Sequence, residues 1–365
     1  GRGLAQAMRL CTSVAPSSCI RSSTYVDDPI ITLAGTQSET DRTLAKVVLS
    51  LRALNYDLAF EKAQDSIHDP AITWTSARLH YTAQDEAIEV SVKEDIIVEV
   101  TDDVNAALAG NRMRIRDLRK LAGRASCIAS LLHVWRPFVS MLWGPIYNSR
   151  CHCRDYPEHL WTKGVMIPLT WIRAFLSGRR GTLTRRYSLS SYLGEGLDVE
   201  IVMGASGRGL GAYLKENGVI TEYFRDLLTD LDSEILGHEL STADGQQTWE
   251  ALVALCALRL WSDKWRARRI KLRVMSDSVT AMIMVLRLKA RGSGPALVSR
   301  EVALDLADAL SQPNVVGHLP GIANTIADYL SRPDKWDAMA LPIALADARE
   351  RQLPPRIRSW WRSLI

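Results

Sequence analysis

Two carboxylates stand side by side, Asp27 and Asp28, in the run Thr24-Tyr25-Val26-Asp27-Asp28-Pro29. Like charges at that spacing repel, and each raises the cost of ionising the other. A divalent cation removes the penalty. Mg²⁺ or Mn²⁺ prefers hard carboxylate oxygens and keeps coordination positions open for substrate phosphates, so the pair suits nucleotidyl transfer. The same pair is also ordinary content for a polar turn, where Asp side chains accept from backbone amides. Cys151-His152-Cys153 with His159 offers ligand side chains, but not at the zinc-site separation of about two to four residues.

The charge pattern points to a polyanion. From Asp27 to Gly110 there are 16 acidic and 6 basic residues, a balance of −10; from Asn111 to Ser190 there are 15 basic and 3 acidic, a balance of +12. A block so basic can follow a phosphate backbone through counterion release, and a solvated basic surface is the other reading. Within it Arg179, Arg180, Arg185 and Arg186 bracket a polar loop and are the candidate nucleic-acid contacts. Trp135, Trp143, Trp161 and Trp171 lie in the same block; a core role is expected for them, since stacking on bases would need exposed rings.

The elements that must position these groups can be read from periodicity and turn chemistry. Residues 4–11 read as the end of a helix, and β-prone runs on either side of Val26-Asp27-Asp28-Pro29 predict a hairpin with the acids at its tip. Ser38 reads as the cap of a helix whose apolar residues fall at 44, 47, 48, 51 and 54. Residues 58–65 and 71–81 read as strands, and 87–108 as a strand running into a helix. The basic block reads as helical to about Val134, with Pro137 and Pro145 interrupting it, and a further helix covers 167–178. After the loop 179–196, three consecutive strands occupy 197–226, with Gly207 and Gly218 in the turns between them. A helix from Gln246 to about Asp263, a strand at 270–277, helices at 278–288 and 296–310, a short strand at 314–319 and a helix at 323–332 complete a mixed sheet flanked by helices. The segment from Asp334 to Ile365 carries Pro354-Pro355 and three Trp and matches no pattern.

The run Thr24–Ile30, the amphipathic helix after it and the following segment "AFEKAQD…AITWTS" together resemble the last part of a reverse-transcriptase palm. The stretch from Leu118 to Trp143 is similar to the helical thumb and connection of gypsy-type and DIRS-type retroelements. The resemblance implies that Asp27 binds metal, that Asp28 supports the site, and that Tyr25 and Val26 line the hairpin beside the primer end. The family's other metal-binding Asp and its fingers lie well before this hairpin, and only 24 residues precede Tyr25. With no initiator Met before Gly1, the chain is expected to be a fragment that needs the upstream part of the same polyprotein to polymerise.

The second half resembles a ribonuclease H domain. "GHLPGIANTIADYLSR" is similar to the His-x-Pro-Gly…Asn-x-x-Ala-Asp-x-Leu-Ser-Arg ending of retroelement ribonuclease H domains. The family's four acids come from the first strand, the first long helix, the end of the fourth strand and a final helix, and they hold two metal ions that activate water against an RNA phosphate. Matching residue by residue implies Glu250, Asp277 and Asp328 as catalytic metal ligands, His318 as a proton-transfer or product-release residue, and Asn324 as a helper. Taken singly, each acid also has a plain reading: Glu250 as a helix acid, Asp277 as an N-cap before Ser278, and Asp328 as a surface helix charge. Gly204 stands where the family has its first Asp. Asp198 and Glu200 lie more than roughly 10 Å away along the same strand, too far to substitute, so the nuclease is expected to be weak or dead.

These readings predict an α/β (α+β) chain: palm remnant 1–92, helical thumb and connection 93–178, basic linker 179–196, ribonuclease H-like domain 197–333 and unassigned tail 334–365. Implied partners are an RNA template, a DNA primer and an RNA/DNA hybrid, with Mg²⁺ or Mn²⁺ as cofactor. A non-catalytic hybrid-binding module and a decayed element copy are the alternatives. The chain is 47% hydrophobic and 24% charged, lacks an unbroken apolar run able to span a bilayer, and shows no signal sequence. Its six scattered Cys form no disulfide framework and point to a reducing compartment.

Overall fold

The computed structural model describes residues 2–13, 20–26, 28–66, 69, 71–82, 84, 86–188, 197–267, 270–309, 313 and 315–364. The chain divides into two compact units, 1–83 with 88–93 and 84–87 with 94–365.

In the first unit, helix α1 (Arg2–Thr12) and helix α2 (Gln37–Ala53) enclose a hairpin of β1 (Ile20–Tyr25) and β2 (Asp28–Leu33). Met8, Cys11, Ile20, Val47 and Leu51 form its core. The cap of α2 is Thr36 rather than Ser38: the Thr36 amide and hydroxyl both donate to Glu39 Oε2 at 2.8 Å, a bond available only to the residue three before that acid. The predicted strand over 58–65 is instead a 3₁₀ turn, Phe60–Lys62. Phe60 is exposed there under the Arg52 guanidinium, so the run has no buried face to hold it in a sheet. β3 (Ala71–Trp74) and β4 (Ala77–Thr82) form a second hairpin, flanked by β5 (Ala87–Val92).

The second unit begins with α3 (Glu94–Ala109), β6 (Arg112–Arg114), α4 (Ile115–Leu131), α5 (Arg136–Tyr147), the short β7 (His152–Cys153) and β8 (Tyr156–Trp161), α6 (Met166–Leu176) and β9 (Thr184–Ser188). Pro137 sits in the first turn of α5, where its missing N–H costs nothing, but Pro145 lies inside the helix and does not break it. Gly144 before it has no Cβ to clash with the proline ring, and buried Leu142 and Ile146 pin the turn. Trp135 is buried and stacks on Phe175 at 5.7 Å, and Trp171 leans on Phe138 at 6.0 Å; Trp161 is exposed.

After them come β10 (Asp198–Ala205), β11 (Gly209–Glu216), β12 (Val219–Leu227), α7 (Asp230–Leu236), α8 (Gln246–Leu260), α9 (Ser262–Trp265), β13 (Lys271–Ser276), α10 (Val279–Arg287), α11 (Ser293–Ala307), β14 (Val315–His318), α12 (Thr325–Leu330), α13 (Pro333–Ala338) and β15 (Arg349–Glu350). The sheet order is β14-β13-β10-β11-β12-β15. The meander β10–β11–β12 is antiparallel, while β13 runs parallel to β10 and β14 parallel to β13. Helix α8 is buried on nearly every side from Thr248 to Leu258, as expected of a helix held between a sheet and further helices. Val202, Tyr213 and Tyr223 pack with Ala327, Tyr329 and Leu330 of α12. Arg136 Nη1 donates to the carbonyl of Arg287 at the end of α10, and Arg180 pairs with Asp308 at the end of α11, so arginines tie the helical segment to the sheet domain.

Segment 334–365, which matches no sequence pattern, is part of this domain. β15 adds in parallel to the edge of β12, with Glu222 opposite Arg349 and Tyr223 opposite Glu350. Arg356 is buried on Asp232 at 2.9 Å and on Asp226, and the Ser363 amide and hydroxyl donate to buried Glu301 at 2.6 Å.

Candidate functional site

Helix α8, the end of β13 and the approach to α12 bring three of the expected residues to the end of β10. Glu250 accepts from the Ser278 hydroxyl, and its other oxygen accepts from Gln246 Nε2 at 3.2 Å. Gln246 also donates to the carbonyl of Ala205 at 2.9 Å. Asn324 is buried, and its Nδ2 donates to the Met203 carbonyl at 3.2 Å and to Asp277 Oδ1 at 3.3 Å. Asp277 thus leans toward the same strand end from the other side. His318 closes the β13–β14 ladder opposite Ser276, one residue before Asp277, and is exposed.

Asp328 is differently placed. Its carboxylate accepts from Arg332 Nε at 2.6 Å and Lys335 Nζ at 2.7 Å, four and seven residues further along the chain. Burial pushes its carboxyl up, but hydrogen bonds and charge from Lys335 and Arg332 outweigh that and hold it below the ordinary value.

At the strand end itself, Gly204 takes the place of the expected acid. A Cβ built there would lie 3.3 Å from the carbonyl carbon and oxygen of Ala327. On the adjacent strand Gly211, paired with Gly204, would bring a Cβ to 2.5 Å from Leu330. The two glycines let α12 settle against the sheet, and a Cβ at 204 would press on the α12 backbone. Asp198 and Glu200 are engaged elsewhere, Asp198 with Arg273 at 2.7 Å and Glu200 with Lys215 at 2.8 Å.

The donor set does not fit a pair of divalent cations. The position expected to carry the first acid holds Gly204, Glu250 is satisfied by a hydroxyl and an amide, and Asp328 is neutralised by two cations. Among the described residues no three His, Cys, Asp or Glu side chains group so as to hold a metal ion. Ser278, Gln246, Arg332 and Lys335 are contributors that motif matching does not find. Helical spacing is the signal that points to them: Gln246 precedes Glu250 by one turn and Arg332 follows Asp328 by one turn, while Ser278, not Asp277, caps α10.

In the first unit, Tyr25 and Asp28 are the last pair of the hairpin ladder, and both are exposed. The Asp28 carbonyl accepts from Trp74 Nε1 at 3.0 Å. Asp27 lies outside the described residues. Of the four loop arginines, Arg179 and Arg186 are exposed, Arg180 is paired with Asp308, and Arg185 lies over the Tyr187 ring at 4.8 Å and reaches His133 Nδ1 at 3.3 Å.

The strand order and directions define a mixed α/β fold, with β10–β12 antiparallel and β13 and β14 added in parallel. No protein-family model and no curated protein matches the sequence. Among solved structures, ribonuclease H1 from the halophilic archaeon Halobacterium salinarum NRC-1 is 15% identical with a TM-score of 0.29, covering 39% of this chain and 98% of its own. A foamy viral protease-reverse transcriptase in complex with an RNA/DNA hybrid is 14% identical with a TM-score of 0.37, covering 97% of this chain. The same viral protein in complex with double-stranded DNA is 14% identical with a TM-score of 0.36 over 87% of this chain. The chain spans 40% of the viral protein's length in the hybrid complex and 57% in the DNA complex.

Proposed function

We propose that this chain is the C-terminal part of a retroelement reverse transcriptase whose ribonuclease H-like domain holds an RNA/DNA hybrid and does not cut it. The observation that carries the reading is the strand end: Glu250 and Asp277 remain beside it, while Gly204 holds the position expected to carry the first acid and a Cβ there would press on the α12 backbone. The basic segment 111–190 supports duplex binding by sequence-independent attraction, with exposed Arg179 available to a backbone phosphate. Polymerisation, with an RNA template, a DNA primer and metal at Asp27, belongs in this proposal to the longer protein.

Fluorescence anisotropy with a labelled hybrid, alongside a cleavage assay in Mg²⁺ and in Mn²⁺, tests it. The expected result is binding that weakens as salt rises, with no product beyond that of Glu250→Ala. Metal-dependent hydrolysis that disappears in Glu250→Ala would overturn the reading.

A further inference from the structure

Three arginines from separate parts of the second unit converge where the helical segment meets the sheet domain. Arg136, at the start of α5, donates through Nε to the Ala129 carbonyl at 3.1 Å and through Nη1 to the Arg287 carbonyl at 3.2 Å. It therefore bridges the last turns of α4 and α10, where helix dipoles favour a cation. Arg287 itself is exposed at the end of α10. Arg185 of β9 arrives from a third direction and lies 3.3 Å from His133.

Helix ends account for Arg136. They account for Arg287 as well, in the last turn of α10, but not for Arg185 of β9, and the charges that face Arg136 are Arg185 and Arg287, both cations. Among the described residues no carboxylate is ion-paired with any of the three, although Arg124, Arg180, Arg259 and Arg356 of the same unit all have one. His133 gives no counter-charge: burial, then Arg185 and Arg136, push it down to about 4, so it is neutral at physiological pH. Uncompensated guanidinium groups in one place repel unless an anion joins them, and phosphate accepts their forked donors well.

We infer that Arg136, Arg185 and Arg287 form a phosphate-binding site at the junction of the helical segment and the ribonuclease H-like domain. The inference rests on the duplex-binding reading for the source of the phosphate, a nucleic-acid backbone; a free phosphate ion shares the chemistry. It shifts the expected contact from the row of loop arginines to one of them, Arg185, acting with two residues of other elements. Arg136 is partly used in holding helix ends, so the informative substitutions are Arg185→Gln and Arg287→Gln.

The experiment measures hybrid affinity against salt for the whole chain and for the Arg185→Gln/Arg287→Gln double variant. It also records Tm of both in inorganic phosphate and in chloride at matched ionic strength. Each arginine withdrawn from a phosphate lowers the slope of log affinity against log salt by about 1, so the slope of the double variant is expected to fall by about 2. If both proteins bind the hybrid with the same slope, the site is overturned and the duplex-binding reading survives. If the unsubstituted chain does not bind the hybrid, that reading fails and Tm decides: a rise in phosphate confined to the unsubstituted chain keeps the site as one for free phosphate, and no rise overturns it.

Discussion

Asp328 and Asp232 are both aspartates paired with arginine in the same domain, and they do opposite things. Asp328 carries the motif, is about a third exposed, and is held by Arg332 and Lys335 from its own end of the chain. Asp232 closes the capping box of α7 with Thr229, is fully buried, and is also held by Arg356 from a segment 124 residues away. Exposed pairs exchange one aqueous environment for another of similar energy, whereas a buried pair leaves a bare charge in low dielectric when one partner goes. Of these two, the acid that the motif picks out contributes little to holding the domain together, and the buried one contributes much.

Three substitutions would sharpen or break that contrast. Arg356→Ala strands Asp232 without its cation and is expected to cost about 3–5 kcal/mol in denaturant unfolding, as for other buried pairs broken on one side; a loss within error would remove the distinction. Gly204→Asp is expected to cost about 1–3 kcal/mol by pressing on the Ala327 backbone, and to give no metal-dependent cleavage. Recovered cleavage would mean that α12 yields and that the remaining acids are still poised. Asp328→Asn should cost at most roughly 1 kcal/mol after solvent screening. Because the folded carboxyl lies below its ordinary value, the folded chain binds fewer protons there than the unfolded one. The small contribution is thus present above the ordinary carboxylate pKa and lost as pH falls through the lower folded value, which a Tm series from about pH 7 to about pH 3 would read.

Much of the sheet domain is legible in the amino-acid order, because its elements are long and their signals local. Gly207 and Gly218 mark off β10, β11 and β12, and the long apolar runs between turn residues mark α8 and α11. The hairpin of β1 and β2 is legible for the same reason. Segment 334–365 is not, since β15 has two residues and its other anchors, Arg356 and Ser363, are defined by partners 62 to 130 residues away. The site is half legible. Its motif acids can be matched by order, but whether they face one another depends on how closely α12 approaches the sheet, and that depends on two glycines that no motif connects.

The short strand β15 has a consequence outside catalysis. By lying along part of β12 it occupies backbone donors and acceptors that would otherwise invite a strand from another molecule. A protease cut between α13 and β15 that releases the segment is expected to free that border for pairing with a strand of another molecule, which light scattering after limited proteolysis would register.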